Sequence, residues 1–125
     1  MSASVRRGRE AEQVAARYLE ALGYRIVARN VRVGRFGELD MIAYDGETLV
    51  FVEVKARSSA RFGVPEEHIT ARKRRFLVRA AQAYMSLHGI TDVPCRFDVV
   101  ALDFRRTPPV IRLYRNAFGS EEAFQ

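Results

Sequence analysis

The sequence predicts an α/β domain, a mixed β-sheet with helices packed on it in the order α-β-β-β-α-β-β. Three observations carry that prediction. Apolar residues recur at steps of three and four over two stretches, near 9–22 and 71–87, the signature of amphipathic helices. Between them lie strand-like runs, two of them joined at Asp45-Gly46, a strong short-range hairpin signal. The run Leu49-Val50-Phe51-Val52 is apolar on both faces, as a central strand requires. A hairpin meander between helices argues against a doubly wound parallel sheet.

The first helix spans Arg9 to Leu22, with Ala11, Val14, Ala15, Tyr18, Leu19 and Leu22 as its apolar stripe and Gly23 at the C′ position. Glu12 sits at the border of that stripe, while Glu10, Gln13, Arg17 and Glu20 point outward. Tyr24 to Val33 reads as a strand and Gly34 to Gly37 as a turn. Glu38 to Tyr44 and Thr48 to Ala56 are the arms of the hairpin. Arg57 to His68 is a loop rich in Ser, Gly and Pro. The second helix runs from Ala71 to Leu87, with Thr70 as N-cap and Gly89 past its end. Its predicted inner stripe is Phe76, Leu77, Ala80, Ala81 and Tyr84. Phe97 to Leu102 and Val110 to Tyr114 are two further strands. Residues 1–116 are expected to form one domain and residues 117–125 a C-terminal tail.

Composition narrows the class. The 125 residues, 48% hydrophobic and 29% charged, suit one globular domain with a modest core. No apolar run approaches the ~20 residues that span a bilayer, so no membrane partner is expected. No apolar stretch follows the basic start Met1 to Arg7, so a secretory signal is not expected. Cys95 is the only cysteine, which excludes an internal disulfide; a cytoplasmic location is the expectation. The net charge of +6 suits a polyanionic partner such as nucleic acid. Of the 21 basic residues only Lys55 and Lys73 are lysine. In so arginine-rich a chain a lysine marks a place where a compact, titratable ammonium is wanted.

The candidate chemistry lies on the hairpin. Glu38 and Asp40 are two apart and share a strand face, as do Glu53 and Lys55. A two-residue turn at Asp45-Gly46 places Glu38 opposite Glu53, with Asp40 diagonal to it. A four-residue loop places Asp40 opposite Glu53 and Glu38 opposite Lys55. An odd-length loop without a bulge sends the carboxylates to opposite faces. Carboxylates crowded on one face need an offsetting cation, and hard oxygen ligands suit Mg²⁺ or Mn²⁺. A cation held by Asp40 and Glu53, with Lys55 on the same side, fits phosphodiester hydrolysis. The competing reading is a solvated sheet face whose acids pair with nearby arginines.

Glu12, then Gly37-Glu38-Leu39-Asp40, then Val52-Glu53-Val54-Lys55, resembles the pattern of the PD-(D/E)XK nuclease superfamily. More closely, the chain is similar to the YraN-like bacterial family, related to archaeal Holliday junction resolvases. Tyr18-Leu19, Gly23-Tyr24, Asn30, Arg57, Gly63, Lys73 and Arg96-Phe97-Asp98-Val99-Val100 extend the resemblance from Gly8 to about Leu102. It departs at Ala11, where a glycine is usual, and at Leu39, where isoleucine is commoner. The resemblance implies a restriction-endonuclease-like core and a metal-dependent endonuclease acting on structured or branched DNA, in the manner of a Holliday junction resolvase. It makes Asp40 and Glu53 metal ligands, with the Val54 carbonyl as a further one, and Lys55 the catalytic lysine. Glu12 becomes an acid that completes or supports the metal site, and Glu38 a supporting acid. It also implies a homodimer, since two-fold junctions take two centres. The alternative is a nucleic-acid-binding protein of the same fold that cleaves little or not at all.

Arg72, Arg75 and Arg79, with Lys73 beside them, form a basic flank of the second helix suited to a phosphate backbone. Its competing reading is a solvated face. Arg57 and Ser58 open the loop after the Lys55 strand, placed to touch nucleic acid or merely to connect. Asp98, inside an apolar strand, reads as a buried carboxylate with an arginine partner. His68 and His88 read as solvated, and Cys95 as a small residue near a strand start.

Overall fold

The computed structural model describes residues 3–57 and 69–118, with side chains from residue 8 onward. The elements follow the predicted order: α1 (Ala3–Ala21), β1 (Arg25–Arg32), β2 (Glu38–Asp45), β3 (Thr48–Arg57), α2 (Ala71–Leu87), β4 (Cys95–Asp103) and β5 (Val110–Phe118). A single 3₁₀ turn, Gly34–Phe36, replaces the predicted turn between β1 and β2.

Both helices end as their glycines dictate. Gly23 takes φ +98, and its N–H and that of Tyr24 bond the Glu20 and Leu19 carbonyls at 3.0 Å each. Gly89 at φ +61 repeats the arrangement for α2, with Ile90 N–H on the Met85 carbonyl at 2.8 Å. These are Schellman closures, in which glycine carries the left-handed residue. At the other end of α2, the Thr70 hydroxyl accepts the Lys73 N–H at 3.1 Å, the predicted N-cap.

The five strands lie in sequence order, β1-β2-β3-β4-β5. Only β3 and β4 are parallel, joined by the crossover through α2; the other pairs are antiparallel. The mixed sheet between two helices is that of a restriction-endonuclease-like core. Alternation along β3 divides the interior. Val50 and Val52 face α1, with Ala15, Ala16 and Leu19. Leu49 and Phe51 face α2, with Leu77, Val78, Ala80 and Ala81. The α2 stripe is thus rotated from the predicted one: Val78 is buried, while Phe76 is 37% exposed beneath the Arg72 guanidinium. Neither helix is long and apolar enough to cross a membrane, among the described residues.

The strand β5 also corrects the expected tail boundary. Ala117 and Phe118 complete the strand, and Phe118 stacks on Phe97 with centroids 4.7 Å apart. The tail residues 119–125 lie outside the described residues, as do Ser58 and His68. Of the remaining minor readings, His88 is exposed with its ring on Tyr84, and Cys95 is an exposed free thiol at the start of β4.

Asp98 is fully buried, at 0% exposure, and satisfied on every side. Its carboxylate accepts from Arg96 Nε at 3.0 Å, Tyr24 OH at 2.8 Å and the Asn116 N–H at 2.9 Å. Arg96 turns its other end to Asp45 at 2.6 Å. This network ties the end of α1 to β2, β4 and β5, as the structural reading of Asp98 requires. Asp98→Ala should cost about 3 kcal/mol, because a half-buried guanidinium and two further donors lose their acceptor. Urea denaturation measures it; a loss under about 1 kcal/mol would leave the network without its structural role.

Candidate active site

The candidate site begins where two strands part. β2 and β3 pair from Asp45↔Thr48 to Met41↔Val52, and no further. Beyond that point β2 stays on β1 as far as Glu38↔Arg32, and β3 stays on β4 as far as Arg57↔Asp103. The turn is Gly46-Glu47 rather than Asp45-Gly46. Gly46 at φ +61 fills the first central position, where both primed turns need positive φ. The observed register is therefore the one expected of a four-residue loop, extended by one more pair. Continued by one step, it sets Asp40 opposite Glu53, on the α2 side of the sheet.

The opening between the strands explains how these acids are held. Val54 has no ladder partner on β2, and its N–H is taken by Asp40 Oδ2 at 2.9 Å. The N–H and C=O of one strand residue point the same way, so the Val54 carbonyl is turned to the same opening. Glu53 follows four apolar residues in the central strand and is drawn in with them, to 7% exposure. The Asp40 and Glu53 side chains share a hydrogen bond. Burial and then the neighbouring Asp40 charge push the Glu53 carboxyl up to about 8, and burial raises Asp40 as well. Two adjacent, poorly solvated carboxylates resist ionising together, which is the physical cause of both shifts.

Two ammonium groups reach this pair. Lys55 Nζ lies 4.0 Å from Glu53 Oε1, and Lys73 Nζ lies 3.9 Å from the same oxygen. Lys55 stands where expected. Lys73, expected on the basic flank of α2, is instead turned into the centre from the first turn of that helix. No spacing rule could show this, because it depends on how α2 docks over β3. The rarity of lysine and the place of Lys73 in the family resemblance were the available signals.

Glu12 is half-buried on α1. Burial first and Asp40 second raise its pKa, and its side chain hydrogen-bonds Asn30. It therefore feels Asp40 but is engaged elsewhere. Glu38 is exposed and lines, with Glu12, Arg9, Gln13, Arg29 and Asn30, a groove of ≈ 410 Å³ between α1 and the β1–β2 edge. Arg9, Gln13 and Asn30 were not among the predicted site residues. Among the described residues, no three Asp, Glu, His or Cys side chains gather into a ready-made ion cage. The residues present nevertheless fit Mg²⁺ or Mn²⁺. The buried Glu53 carboxylate, the half-buried Asp40 carboxylate and a backbone carbonyl are hard oxygen donors, and Mg²⁺ is typically held by one or two carboxylates while keeping several waters.

The predicted nucleic-acid contacts divide. Arg72 and Arg79 are exposed on α2 and Arg75 is half-buried. Arg57 lies 3.8 Å from Asp103, which also holds Arg105 at 2.7 Å. Ser58 lies outside the described residues.

Comparison with known proteins adds a family. The profile of the Uncharacterised protein family UPF0102 matches residues 11–102. A UPF0102 protein of Dechloromonas aromatica is 56% identical over 116 residues, covering 93% of this chain and 91% of its own. One from Symbiobacterium thermophilum is 54% identical over 100 residues, covering 80% and 84%. One from Dehalococcoides mccartyi is 39% identical over 114 residues, covering 91% and 93%.

Proposed function

From the premise that this chain belongs to the UPF0102 family, we propose that it is a metal-dependent endonuclease hydrolysing phosphodiester bonds in structured or branched DNA. The observation that carries this reading is the pairing of half-buried Asp40 with buried Glu53, with two lysines on one Glu53 oxygen at the parting of β2 and β3. Nothing structural requires such a pair at that place, and desolvating it is costly.

Asp40, Glu53 and the Val54 carbonyl would hold Mg²⁺ or Mn²⁺. The bound ion supplies a Lewis acid that withdraws charge from a phosphoryl oxygen and makes water easier to ionise. The protein residues do the rest. Asp40 is pinned by the Val54 N–H, so its second oxygen is fixed in direction. Lys55, on the same strand face as Glu53, donates to a phosphate oxygen and orients the attacking water, stabilising the negative charge that grows on the phosphoryl group. Glu12 and Glu38 support the centre electrostatically from the adjoining groove. In the net reaction, water adds to phosphorus, one P–O ester bond breaks, and a proton passes from the water to the departing oxygen. A two-fold junction requires two such centres, so the proposal includes a homodimer, to be checked by sedimentation.

The test is to incubate the pure protein with linear, flapped and four-way DNAs in Mn²⁺, Mg²⁺ or EDTA. The nuclease reading expects metal-dependent cleavage that EDTA abolishes, strongest on the branched forms. The alternative, a DNA-binding protein of this fold with little cleavage, is favoured by one observation, the lack of a three-acid cage among the described residues. Binding without cleavage in any metal would select it.

The basic flank of α2 gives a separate expectation. Arg72→Ala, Arg75→Ala and Arg79→Ala should weaken DNA binding with little sequence dependence, each lowering the salt slope by about 0.9 for every phosphate it no longer neutralises. Three unchanged slopes would make this flank a solvated face.

A further inference from the structure

Lys73 stands out on three independent grounds. It is one of only two lysines among 21 basic residues, and the two, from different elements, reach the same Glu53 oxygen at 3.9 and 4.0 Å. It occupies the third position of α2, where its own N–H is committed to the Thr70 cap and where the positive end of the helix dipole disfavours a cation. Its side chain remains 44% exposed, against 32% for Lys55 and 8% for Glu53. The ammonium thus reaches in from solvent over the mouth of the opening rather than lying sealed within it.

A cation needed only to balance Glu53 could be supplied by Lys55 or by the ion itself. With an ion held by Asp40 and Glu53, a lysine serving only as their counter-charge would be repelled. Two ammonium groups flanking the rim of an acid pair are instead placed to receive an anion that arrives with the ion. Arginine is the ordinary cation of this chain, yet both positions carry the compact group that can turn its three N–H donors among several oxygens.

We propose that Lys73 is a second catalytic lysine, contacting the reacting phosphate from α2 while Lys55 contacts it from β3. The inference rests on the nuclease reading for its reaction but on the Lys73 geometry for its contact. Lys55 lies on β3 beneath the phosphate and Lys73 on α2 above it, so the phosphate is gripped between two elements that already pack against each other through Phe51 and Tyr84. Such a clamp fixes the phosphorus relative to the acid pair and shares the charge that develops on its oxygens.

Two readouts test it on the full chain. The first is binding of four-way DNA in Ca²⁺, in place of the ions expected to support cleavage, over a range of salt. The second is single-turnover cleavage of that DNA in Mn²⁺. Lys73→Ala should lower the salt slope by about 0.9, the value of one neutralised phosphate, and slow cleavage by about 100-fold, as a misplaced reacting group does. Lys73→Arg should restore the slope without restoring the rate, and serves also if the alanine protein fails to fold. An unchanged slope overturns the proposal, as does an unchanged rate in a wild type that cleaves. If the wild type cleaves in no metal while the Lys73→Ala slope still falls, the nuclease reading fails and the phosphate contact stands.

Discussion

Glu53→Gln is expected to give a protein that melts higher than the wild type at pH 8 and has lost metal-supported cleavage. The two effects share one cause. Burial and Asp40 push the Glu53 carboxyl up to about 8 from its ordinary 4.5, so the folded protein prefers it neutral. A raised acid of this kind contributes stability fully present below about pH 4.5 and lost as pH rises through 8. Between those limits unfolding releases a proton, and stability falls by up to about 1.4 kcal/mol per pH unit. Glutamine is neutral at every pH and can still donate to Asp40. That slope should therefore vanish, and the midpoint at pH 8 should rise by about 5 °C or more. The same change removes a carboxylate from the ion's donor set. Mn²⁺ should then raise the midpoint of the wild type but not of the variant. Losing several kcal/mol of charge stabilisation should lower cleavage on the order of 1000-fold. Thermal melts from pH 5 to 9, with and without Mn²⁺, test this alongside the cleavage rate. A variant no more stable at pH 8 than wild type would mean that Glu53 is ionised and paired, without strain, in the folded protein.

The second large effect is expected from Lys55→Arg, which keeps the charge. If Lys55 were a surface ion-pair partner, arginine would serve as well, and it is the common cation of this chain. At the opening between β2 and β3 it should not. The guanidinium is larger and planar, and cannot place a compact charge beside both the water and the phosphate. A displacement of about 1 Å in a preorganised site can cost on the order of 100-fold in rate. The expected protein folds, binds DNA and binds the ion, and cleaves at least that much more slowly on the same substrate. Cleavage within a few-fold of wild type, at an unchanged melting temperature, would remove Lys55 from the mechanism.

What could be read from the chain and what could not divide along physical lines. Which face each hairpin acid takes follows from parity, so any even-length turn places Asp40, Glu53 and Lys55 together, and only an odd one parts them. The register itself was open. Asp45-Gly46 and Gly46-Glu47 are both plausible two-residue turns, and the choice between them moves Asp40 from diagonal to opposite Glu53. The helix caps were legible because Thr70, Gly23 and Gly89 act locally. The docking of α2 was not, since its stripe could rotate by a residue in favour of Val78 over Phe76 without changing the pattern's period. Lys73 depends on that docking, and so its place beside Glu53 lay beyond a one-dimensional reading. The last residues of β5 misled for a related reason. Residues from Ala117 onward read as a tail, but the stack of Phe118 on Phe97 carries the strand through Ala117 and Phe118.

The acid pair at the opening between β2 and β3 is the centre of the proposed chemistry, and one comparison probes it most directly. Wild type and Asp40→Asn, purified in parallel, are assayed for single-turnover cleavage of four-way DNA in Mn²⁺, with EDTA added midway. The wild type should cleave and stop on EDTA, while Asp40→Asn binds the DNA and stays at background. Equal cleavage by both, or tight binding with no cleavage by the wild type, would contradict a nuclease centre built on Asp40 and Glu53.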